Sequence, residues 1–371
     1  MTSVAFQVDQ LLARVPGGIG TYVGELVPAL MAADPEVAIT LFHARAEGRS
    51  LPEGWAADLP VVPLRRGIRT LYPGWALAGL PALPEPLRGQ DVLHSPSPAA
   101  VPPAGPGQRL VVTVHDLAFL VEPRLFPPAW RTMYRMGLRR AVRHADALVA
   151  VSEHTARDLV DRAGADAGKI HVTPLAATLP ASAGDPGPAV DRLRIPRPYL
   201  LFVGTLEPRK NLVRLVRAYR RAVARSELPH ALVLAGPPGW GGDALERELA
   251  IPAAGEVVRT GRVEPDELDA LYRGADAFAY PSLYEGFGLP VVDAMARGIP
   301  MIVSSSSSLP EVAGDAALTA SPHSVEELAQ AIERVLTDRT LAARLTEAGR
   351  ARATEFSWAR TARATLEVYR G

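Results

Sequence analysis

The stretch AFAYPSLYEGFGLPVVDAMARGIPMIV, residues 277–303, places a glycine-rich turn and a helical segment between two short apolar runs. The runs Ala277–Tyr280 and Met301–Val303 have the length and apolar composition of strands that are buried on both faces. The segment between them predicts a helix that begins near Leu289. A strand, a helix and a second strand in this order predict a parallel sheet covered by helices.

The same alternation of strand-like runs and helical patterns extends over almost the whole chain. Helices are predicted over Asn211–Arg225, Pro265–Gly274 and Val325–Thr337, and the last begins with a capping box from Ser324 to Glu327. The pattern predicts an α/β fold with parallel sheets. The other predicted strands are Val4–Val8, Val37–Phe42, Val92–His94, Leu110–His115, Ala147–Val151, Ile170–Thr173, Tyr199–Val203, Ala231–Ala235 and Val257–Thr260.

A linker is predicted where this alternation is interrupted. Residues 181–189, ASAGDPGPA, are small and rich in proline and glycine, and a strand pattern restarts at Tyr199. The chain length of 371 residues fits two domains. We therefore predict one domain over residues 1–185 and a second over residues 186–371, each with a Rossmann-like, doubly wound parallel sheet that faces a shared cleft. Residues 43–90 carry no pattern that assigns their elements.

The composition excludes several classes of protein. The formal net charge is zero, so no basic field indicates a nucleic-acid partner. Cysteine is absent, which excludes disulfides, thiolate metal sites and cysteine nucleophiles. The first residues lack the pattern of a signal peptide, and no apolar run reaches the roughly 18–20 residues that span a bilayer. We therefore expect a cytoplasmic protein.

A glycine-rich turn follows the first predicted strand. Pro16-Gly-Gly-Ile-Gly20 precedes a helix predicted from about Thr21, and the N–H groups at a helix start can bind an anion. The turn is not the GxGxxG fingerprint of nicotinamide-binding proteins, and no acidic residue follows at the expected distance. A phosphate-binding turn and a flexible connection without a ligand both remain open.

Two polar motifs follow predicted strands. His115 and Asp116 end the strand LVVTV, at the edge where functional side chains collect in parallel sheets, although a histidine there is as often structural. Arg209 and Lys210 follow the strand that ends near Gly204 and stand just before a helix, where cations oppose the helix dipole. A bound diphosphate would make cations favourable at this helix start. The presence of a lysine there indicates that the compact charge of an ammonium group fits the site better than the planar guanidinium of arginine.

The rarity of lysine strengthens the assignment of Lys210 to phosphate. Of 40 basic residues in the chain, only Lys169 and Lys210 are lysines. Lys169 precedes a strand and is predicted to be an ordinary surface residue.

Two carboxylates flank the glycine-rich turn of the opening stretch. Glu285 lies before the predicted helix and can accept hydrogen bonds from neutral donors such as sugar hydroxyls, while the N–H groups near Phe287–Leu289 can bind phosphate or sugar oxygens. Asp293 lies one turn inside the helix. It could accept a ribose diol, or it could act only as a partner of the helix dipole.

These motifs resemble those of the retaining nucleotide-sugar glycosyltransferases of family 4, which have the GT-B fold and function in polysaccharide or glycoconjugate biosynthesis. The resemblance covers essentially the whole chain, and within this family the chain resembles the mannosyltransferases. In the second half it rests on GTLEPRKNL, on TGRVEPDELDALYRGADAFAYPSLYEGFGLPVVDAMARGIPMIVS and on SLPEVAGDAAL. In the first half it rests on GGIG, VHDLAFL and DALVAVSEHTARDL.

The resemblance implies a donor held mainly by the C-terminal domain, with no metal and no cofactor beyond a GDP- or UDP-linked sugar. It implies that Arg209 and Lys210 bind the diphosphate, that Glu285 binds the transferred sugar, and that His115 reaches this sugar near its reacting carbon. It also implies that the last helix, about residues 357–370, packs on the N-terminal domain. Donor binding is assigned to Gly17, Gly18, Thr205, Arg262, Gly286, Phe287, Gly288, Leu289 and Asp293.

The chain departs from the family pattern at two positions. Asp293 stands where the family usually has a second glutamate, and Gly204 stands where many members have an arginine. The implied reaction is metal-independent, retaining transfer of a hexose, mannose from GDP-mannose or glucose from UDP-glucose, to a glycan, lipid-linked or small-molecule acceptor. The alternatives are a sugar-nucleotide epimerase or phosphorylase of the same fold, a non-catalytic nucleotide-sugar-binding module and, more distantly, a nicotinamide-dependent oxidoreductase.

A basic segment suggests a further partner. Between Arg124 and Arg143 there are several arginines and no acid, and Trp130, Tyr134, Leu138 and Ala141 fall on one helical stripe. Such a face could contact anionic lipid at the inner membrane surface, or it could be a solvated flank.

Overall fold

The computed structural model describes residues 2–178 and 184–371, and the chain divides into two compact α/β units. One unit comprises Met1–Leu175 together with Ser357–Gly371, and the other comprises Ala176–Phe356. Residues 181–183 of the predicted linker lie outside the described residues. Part of the remainder is helical, because a short helix already begins at Gly187.

The first unit is built on a seven-stranded parallel sheet with the order β3-β2-β1-β4-β5-β6-β7. Its strands are β1 (Ser3–Gln7), β2 (Ala38–His43), β3 (Val61–Pro63), β4 (Val92–Ser95), β5 (Arg109–Val114), β6 (Ala147–Ala150) and β7 (Ile170–Val172). Its helices include α1 (Gly17–Ala33), α2 (Ile68–Ala78), α3 (Glu85–Arg88), α4 (Ala118–Val121), α5 (Pro128–His144) and α6 (Glu153–Ala163).

The second unit is built on a six-stranded parallel sheet with the order β10-β9-β8-β11-β12-β13. Its strands are β8 (Tyr199–Val203), β9 (Ala231–Ala235), β10 (Val257–Gly261), β11 (Ala277–Tyr280), β12 (Met301–Ser304) and β13 (Ala317–Ala320). Its helices are α7 (Gly187–Arg192), α8 (Leu212–Ser226), α9 (Asp243–Leu249), α10 (Pro265–Arg273), α11 (Leu289–Ala296), α12 (Leu309–Ala313), α13 (Val325–Thr337) and α14 (Arg339–Ala353).

The central strands form because they are apolar at consecutive positions and not only at alternate ones. Every residue of β8, β9, β11 and β12 is buried, as expected when helices cover both faces of a parallel sheet. Each fully buried Val, Leu or Phe side chain contributes about 1.5–3 kcal/mol of hydrophobic free energy. The predicted α/β fold with two doubly wound parallel sheets is confirmed.

The C-terminal helix α15 (Trp358–Arg370) belongs to the first unit, where it packs against α1. Its buried face includes Leu366 and Tyr369. The Tyr369 hydroxyl is 2.6 Å from Nδ1 of His94 on β4, and Arg370 forms a 2.7 Å ion pair with Asp34 after α1.

Four details differ from the sequence predictions. Helix α1 begins at Gly17, so the glycine-rich turn forms the first helical turn. Strands β3 and β13 were not predicted, because β3 is a three-residue edge strand and β13 has two half-buried residues and one exposed residue. Residues 43–90 form β3, α2 and α3. At α13, the Ser324 hydroxyl accepts from the Glu327 N–H as predicted, but the Glu327 carboxylate accepts from the Ser321 N–H.

Candidate functional site

Two of the sequence motifs meet at one edge of the second sheet. Strand β8 is followed along the chain by β9 on one side of it, whereas β11, β12 and β13 lie on its other side. Ligands of doubly wound sheets bind at such a reversal of strand order, beyond the carboxyl ends of the strands. The segment 204–211 after β8 and the segment 281–288 after β11 both lie at this reversal.

A buried ion cluster joins the two segments. Nζ of Lys210 donates to Oε1 of Glu285 at 2.6 Å, and Nη1 of Arg209 donates to Oε2 of the same carboxylate at 2.7 Å. Arg209 also pairs with Glu207 at 2.8 Å, and Lys210 donates to the hydroxyl of Tyr280 at 2.7 Å. Lys210 and Glu285 are only 7% and 6% exposed. Two cations and two carboxylates therefore compensate one another in the protein interior.

The Glu285 carboxylate stays ionised down to low pH, because its pKa is lowered to about 2. Burial alone would raise the pKa of Glu285, but the adjacent Arg209 and Lys210 cations lower it to about 2. Burial lowers the pKa of Lys210, helped by Arg209 and opposed by Glu285. Burial also raises the pKa of Tyr280 well above its ordinary value, so that its hydroxyl stays protonated. At neutral pH the Glu285 carboxylate can only accept hydrogen bonds.

A short turn presents the two cations. Pro208–Lys210 forms a single 3-10 turn, and Asn211 follows with a φ of 63° in the left-handed region. The Asn211 side chain donates to the carbonyls of Pro281 and Pro322 at 3.0 and 2.7 Å. Asparagine tolerates this backbone conformation better than most residues. The turn is therefore tied to the segment that carries Glu285, and α8 begins only at Leu212.

The start of α11 requires glycine at Gly288. Its φ is 102°, and a Cβ atom there would lie 2.7 Å from Cδ2 of Leu309. Pro290 occupies the first helical turn, where its missing N–H costs nothing. The N–H groups of a first helical turn have no acceptor within their own helix. Phe287, Gly288 and Leu289 therefore present their backbone at the same edge of the sheet as Glu285.

Asp293 is buried and held by the start of the second unit. Its Oδ1 accepts from the backbone N–H of Thr178 at 2.8 Å, and its Oδ2 accepts from the Thr178 hydroxyl at 3.0 Å. Arg297 lies 3.8 Å away on the next helical turn. Two donors of one residue thus occupy both oxygens, much as two neighbouring hydroxyls of a sugar would.

The remaining predicted donor residues of this unit are distributed along the sheet edge. Thr205 is half-buried two residues after the end of β8, and Gly286 follows Glu285. Arg262 is exposed after the edge strand β10, which β9 separates from β8, so it is not part of the ion cluster. Gly204 has a φ of 148°, which favours glycine, and a Cβ there would lie 3.4 Å from the Phe202 ring. An arginine would be strained at this position.

The first unit carries the other predicted residues. His115 follows β5, and its Nε2 lies 3.1 Å from the carbonyl oxygen of Pro96, which makes Nε2 the protonated nitrogen. Burial lowers the pKa of His115 to about 4, so the ring is neutral at pH 7. Tyr22 packs edge-on against the ring at 4.8 Å. Gly17 and Gly18 are exposed in the first turn of α1, and Gly17 has a φ of 60°.

The predicted apolar stripe of the basic segment faces mostly inward. Leu138 and Ala141 are buried in the core, and the ring of Tyr134 packs 5.2 Å from that of Phe119. Only Trp130 remains at the surface, at 49% exposure. The stripe as a whole is therefore not available to lipid, because the helix uses it to pack on its own unit.

Sequence reasoning missed the link between the acids and the cations. It assigned Glu285 to sugar hydroxyls and Arg209 and Lys210 to phosphate, but not to each other. Glu207 and Tyr280 were not singled out, although the polar end of a buried strand at Tyr280 was a usable signal.

Among residues 2–178 and 184–371, no group of three or more His, Asp or Glu side chains could hold a metal ion. No described helix is both long and apolar enough to cross a membrane.

Two family models match the chain, one in each half. The model described as Glycosyltransferase Family 4 matches residues 16–177, and the model described as Glycosyl transferases group 1 matches residues 190–352. The second match contains the whole ion cluster. The first contains His115 and both glycines at the start of α1.

Curated relatives and solved structures agree with these models. The chain is 29% identical to O-antigen chain mannosyltransferase B of Escherichia coli, over 95% of this chain and 96% of the relative. It is 32% identical to D-inositol 3-phosphate glycosyltransferase of Salinispora arenicola, over 95% and 87%. The Anabaena protein HepE, solved with UDP and glucose, superposes with a TM-score of 0.72 at 18% identity over 99% of both chains. The chain thus belongs to glycosyltransferase family 4, the retaining glycosyltransferases with the GT-B fold that use nucleotide-sugar donors.

Proposed function

We propose that this protein transfers mannose from GDP-mannose to a hydroxyl of a glycan or lipid-linked acceptor, with retention of the anomeric configuration. The observation that carries the proposal is the buried cluster of Glu285, Arg209 and Lys210 at the strand-order reversal of the second sheet. The similarity to an O-antigen chain mannosyltransferase over 95% of the chain supports mannose as the hexose. UDP-glucose is the second donor candidate, supported by the fold shared with a protein solved with UDP and glucose.

The cluster suits a ligand that carries both a diphosphate and hydroxyls. Without a donor, Arg209 and Lys210 satisfy Glu285, so that no buried charge is unpaired. A diphosphate supplies competing anionic oxygens for both cations, and the sugar hydroxyls supply competing donors for the carboxylate. Each group exchanges one partner for another of the same kind, which keeps the cost of desolvation low during binding.

The same exchange supports catalysis. Negative charge grows on the leaving diphosphate in the transition state, and the preorganised Arg209 and Lys210 cations stabilise it more than they stabilise the bound donor. The acceptor hydroxyl attacks the anomeric carbon on the face that the diphosphate leaves, and the departing phosphate takes the hydroxyl proton. The Phe287–Leu289 backbone and Asp293 hold phosphate, sugar or ribose oxygens. Glu285 binds the sugar and needs no covalent role.

Donor turnover tests the proposal directly. The protein is incubated with GDP-mannose or UDP-glucose, with and without mannose-terminated oligosaccharides, and release of the nucleoside diphosphate is measured. We expect acceptor-dependent GDP release and an elongated product. Donor consumption without any acceptor would favour an epimerase or a hydrolase. Nucleotide binding without turnover of either donor, with every acceptor, would favour a binding module and overturn the proposal.

A lipid-linked acceptor would also bring the first unit to a membrane. The segments 61–84 and 124–143 contain no acidic residue, and α2 packs against α5. Leu77 in the last turn of α2 and Leu80 just after this helix are 75% and 60% exposed, and Trp130 at the start of α5 is 49% exposed. Exposed apolar residues among arginines suit the surface of an anionic bilayer.

Vesicle sedimentation tests this contact. We expect binding to vesicles that contain anionic lipid, weaker binding of the Leu77→Ser/Leu80→Ser variant, and loss of binding in high salt. Ile251→Ser is the matched control, because Ile251 is an apolar residue of the second unit that is 50% exposed. Equal binding of all three proteins, or none to anionic vesicles, would contradict a role for this surface.

A further inference from the structure

A run of five serines begins at Ser304, the last residue of β12, which is the strand next to β11. Residues 305–308, the serine loop, lie at the carboxyl end of this strand, beside the loop that carries Glu285. Ser307 has a φ of 59°, in the left-handed region that few residues other than glycine and asparagine adopt. A residue other than glycine in this backbone conformation, at the edge of the sheet where ligands bind, suggests that its side chain is needed for function.

The serine loop holds the backbone on both sides of Glu285. The Ser307 hydroxyl accepts from the Glu285 N–H at 2.9 Å and donates to the Ser306 carbonyl at 2.7 Å. The Ser308 hydroxyl donates to the carbonyls of Glu285 and Phe287 at 3.0 and 3.2 Å. The Ser306 hydroxyl donates to the carbonyl of Leu283 at 3.0 Å. Three consecutive hydroxyls therefore fix one short loop, and of these three it is the Ser307 hydroxyl that accepts from the N–H of Glu285.

We propose that Ser307 is a positioning residue for Glu285, which holds the carboxylate in place for the transferred sugar once the donor has engaged Arg209 and Lys210. This inference rests on the proposed function. In the unliganded protein the two cations fix the Glu285 side chain directly. When a diphosphate takes those cations, the carboxylate loses its two cationic partners, and the anchoring of its backbone contributes more to its orientation. The Ser307 hydrogen bond then matters more than it does in the free protein.

Two different substitutions of Ser307 distinguish a role in stability from a role in activity. Glycine would relieve the left-handed conformation but would remove the hydroxyl that accepts from Glu285. Alanine would remove the hydroxyl and keep the strained conformation. If the serine were merely structural, the substitution that removes the strain would be harmless. If it positions Glu285, both substitutions impair transfer, whatever they do to stability.

The experiment compares Ser307→Gly, Ser307→Ala and Ser305→Ala with the wild type. Ser305 is the exposed neighbour in the same run and is the matched control. For each protein the midpoint of thermal unfolding, the Kd for GDP and the kcat for acceptor-dependent GDP-mannose turnover are measured. GDP contains no transferred sugar, so its affinity reports on the phosphate site alone.

We expect kcat to fall about tenfold in both Ser307 variants, as for a lost positioning hydrogen bond, with the Kd for GDP within about twofold of the wild type. The unfolding midpoint should be unchanged or higher in Ser307→Gly and lower in Ser307→Ala. Wild-type kcat in Ser307→Gly would overturn the positioning role and leave the proposed function intact. Absence of turnover in the wild type with both donors would overturn both.

Discussion

The two units bury polar networks of opposite character. In the second unit, Glu285 and Glu207 form ion pairs with Arg209 and Lys210. In the first unit, the ring of His94 lies between the Tyr369 hydroxyl at 2.6 Å and the Thr113 hydroxyl at 2.8 Å, and burial lowers its pKa to about 3. The charged network lies at the edge of its sheet, where ligands bind. The neutral one joins the C-terminal helix to strands β4 and β5.

This difference between the two networks indicates which buried polar groups can bind a ligand. The members of the neutral network satisfy one another and are fully enclosed, so replacing any partner would require the unit to open. The charged network can exchange its internal partners for those of an anionic, hydroxyl-rich ligand. We therefore expect damage to the charged network to impair function first, and damage to the neutral network to impair stability first.

The largest effect is expected from Lys210→Ala. The substitution removes one of the two cations that stabilise the leaving diphosphate, and we expect kcat for donor turnover to fall about 10²–10³-fold. Circular dichroism should show a folded protein. Lys169→Ala is the matched control, because Lys169 is the chain's other lysine and its ammonium donates to the carbonyl of Ala145 in the first unit. Undiminished turnover in Lys210→Ala would remove this residue from the mechanism.

A smaller effect, on stability alone, is expected from His94→Gln. The folded-state pKa of His94 is about 3, below its ordinary value of 6.5, so the unfolded chain binds the extra proton between these values. The contribution of the neutral His94 ring to the free energy of unfolding is therefore complete above pH 6.5 and is lost as the pH falls. Between pH 6.5 and 5 the wild type should lose about 2 kcal/mol more of its unfolding free energy than the variant.

Urea titrations at pH 7 and pH 5 measure this difference. Donor turnover per folded molecule at pH 7 is the second readout, and we expect it to stay within about twofold of the wild type, since the neutral network does not bind donor. Equal pH dependence of wild type and variant would contradict the buried, neutral state of His94. A large loss of turnover without a loss of stability would break the distinction between the two networks.

The smallest effect is expected from Thr178→Val. Val has the shape of Thr without the hydroxyl that donates to Oδ2 of Asp293. If a ribose diol replaces Thr178 on Asp293, the variant should bind GDP a few-fold more tightly, because one competing donor is gone. The affinity for 2′-deoxy-GDP, which lacks one of the hydroxyls, should gain less. Calorimetry with both nucleotides measures the ratio, and an unchanged ratio would assign Asp293 to anchoring residue 178 alone.

Much of the fold could be predicted because its signals are local. Strands β8, β9, β11 and β12 are almost entirely apolar, and each is bounded on at least one side by glycine, proline or a charged residue. The edge strands β3 and β13 could not be found in this way, since each is partly exposed and takes its conformation from the neighbouring strand. The stripe on α5 was predicted as a periodicity, but periodicity does not reveal that Leu138 and Ala141 face the core.

The candidate site could be predicted as a set of residues but not as a network. Glu285 and Lys210 are 75 positions apart, and only the strand order brings β8 next to β11. The sequence showed an acid beside the start of one helix and cations beside the start of another helix, but it did not show that the acid and the cations form ion pairs with each other. The φ of Ser307 and the contact of Thr178 with Asp293 are likewise products of tertiary structure. His94 carries no sequence signal that distinguishes a buried neutral ring from a functional one.

The most direct test of the central claim is calorimetric titration of GDP into the wild type and the Glu285→Gln variant at neutral pH. If a diphosphate replaces Glu285 as the partner of Arg209 and Lys210, removal of the competing negative charge should strengthen GDP binding, by about tenfold for one charge-assisted contact. Transfer from GDP-mannose should fall in the same variant, because the sugar loses its anionic acceptor. Weaker GDP binding in Glu285→Gln would contradict the exchange of partners and would make the cluster a structural ion pair.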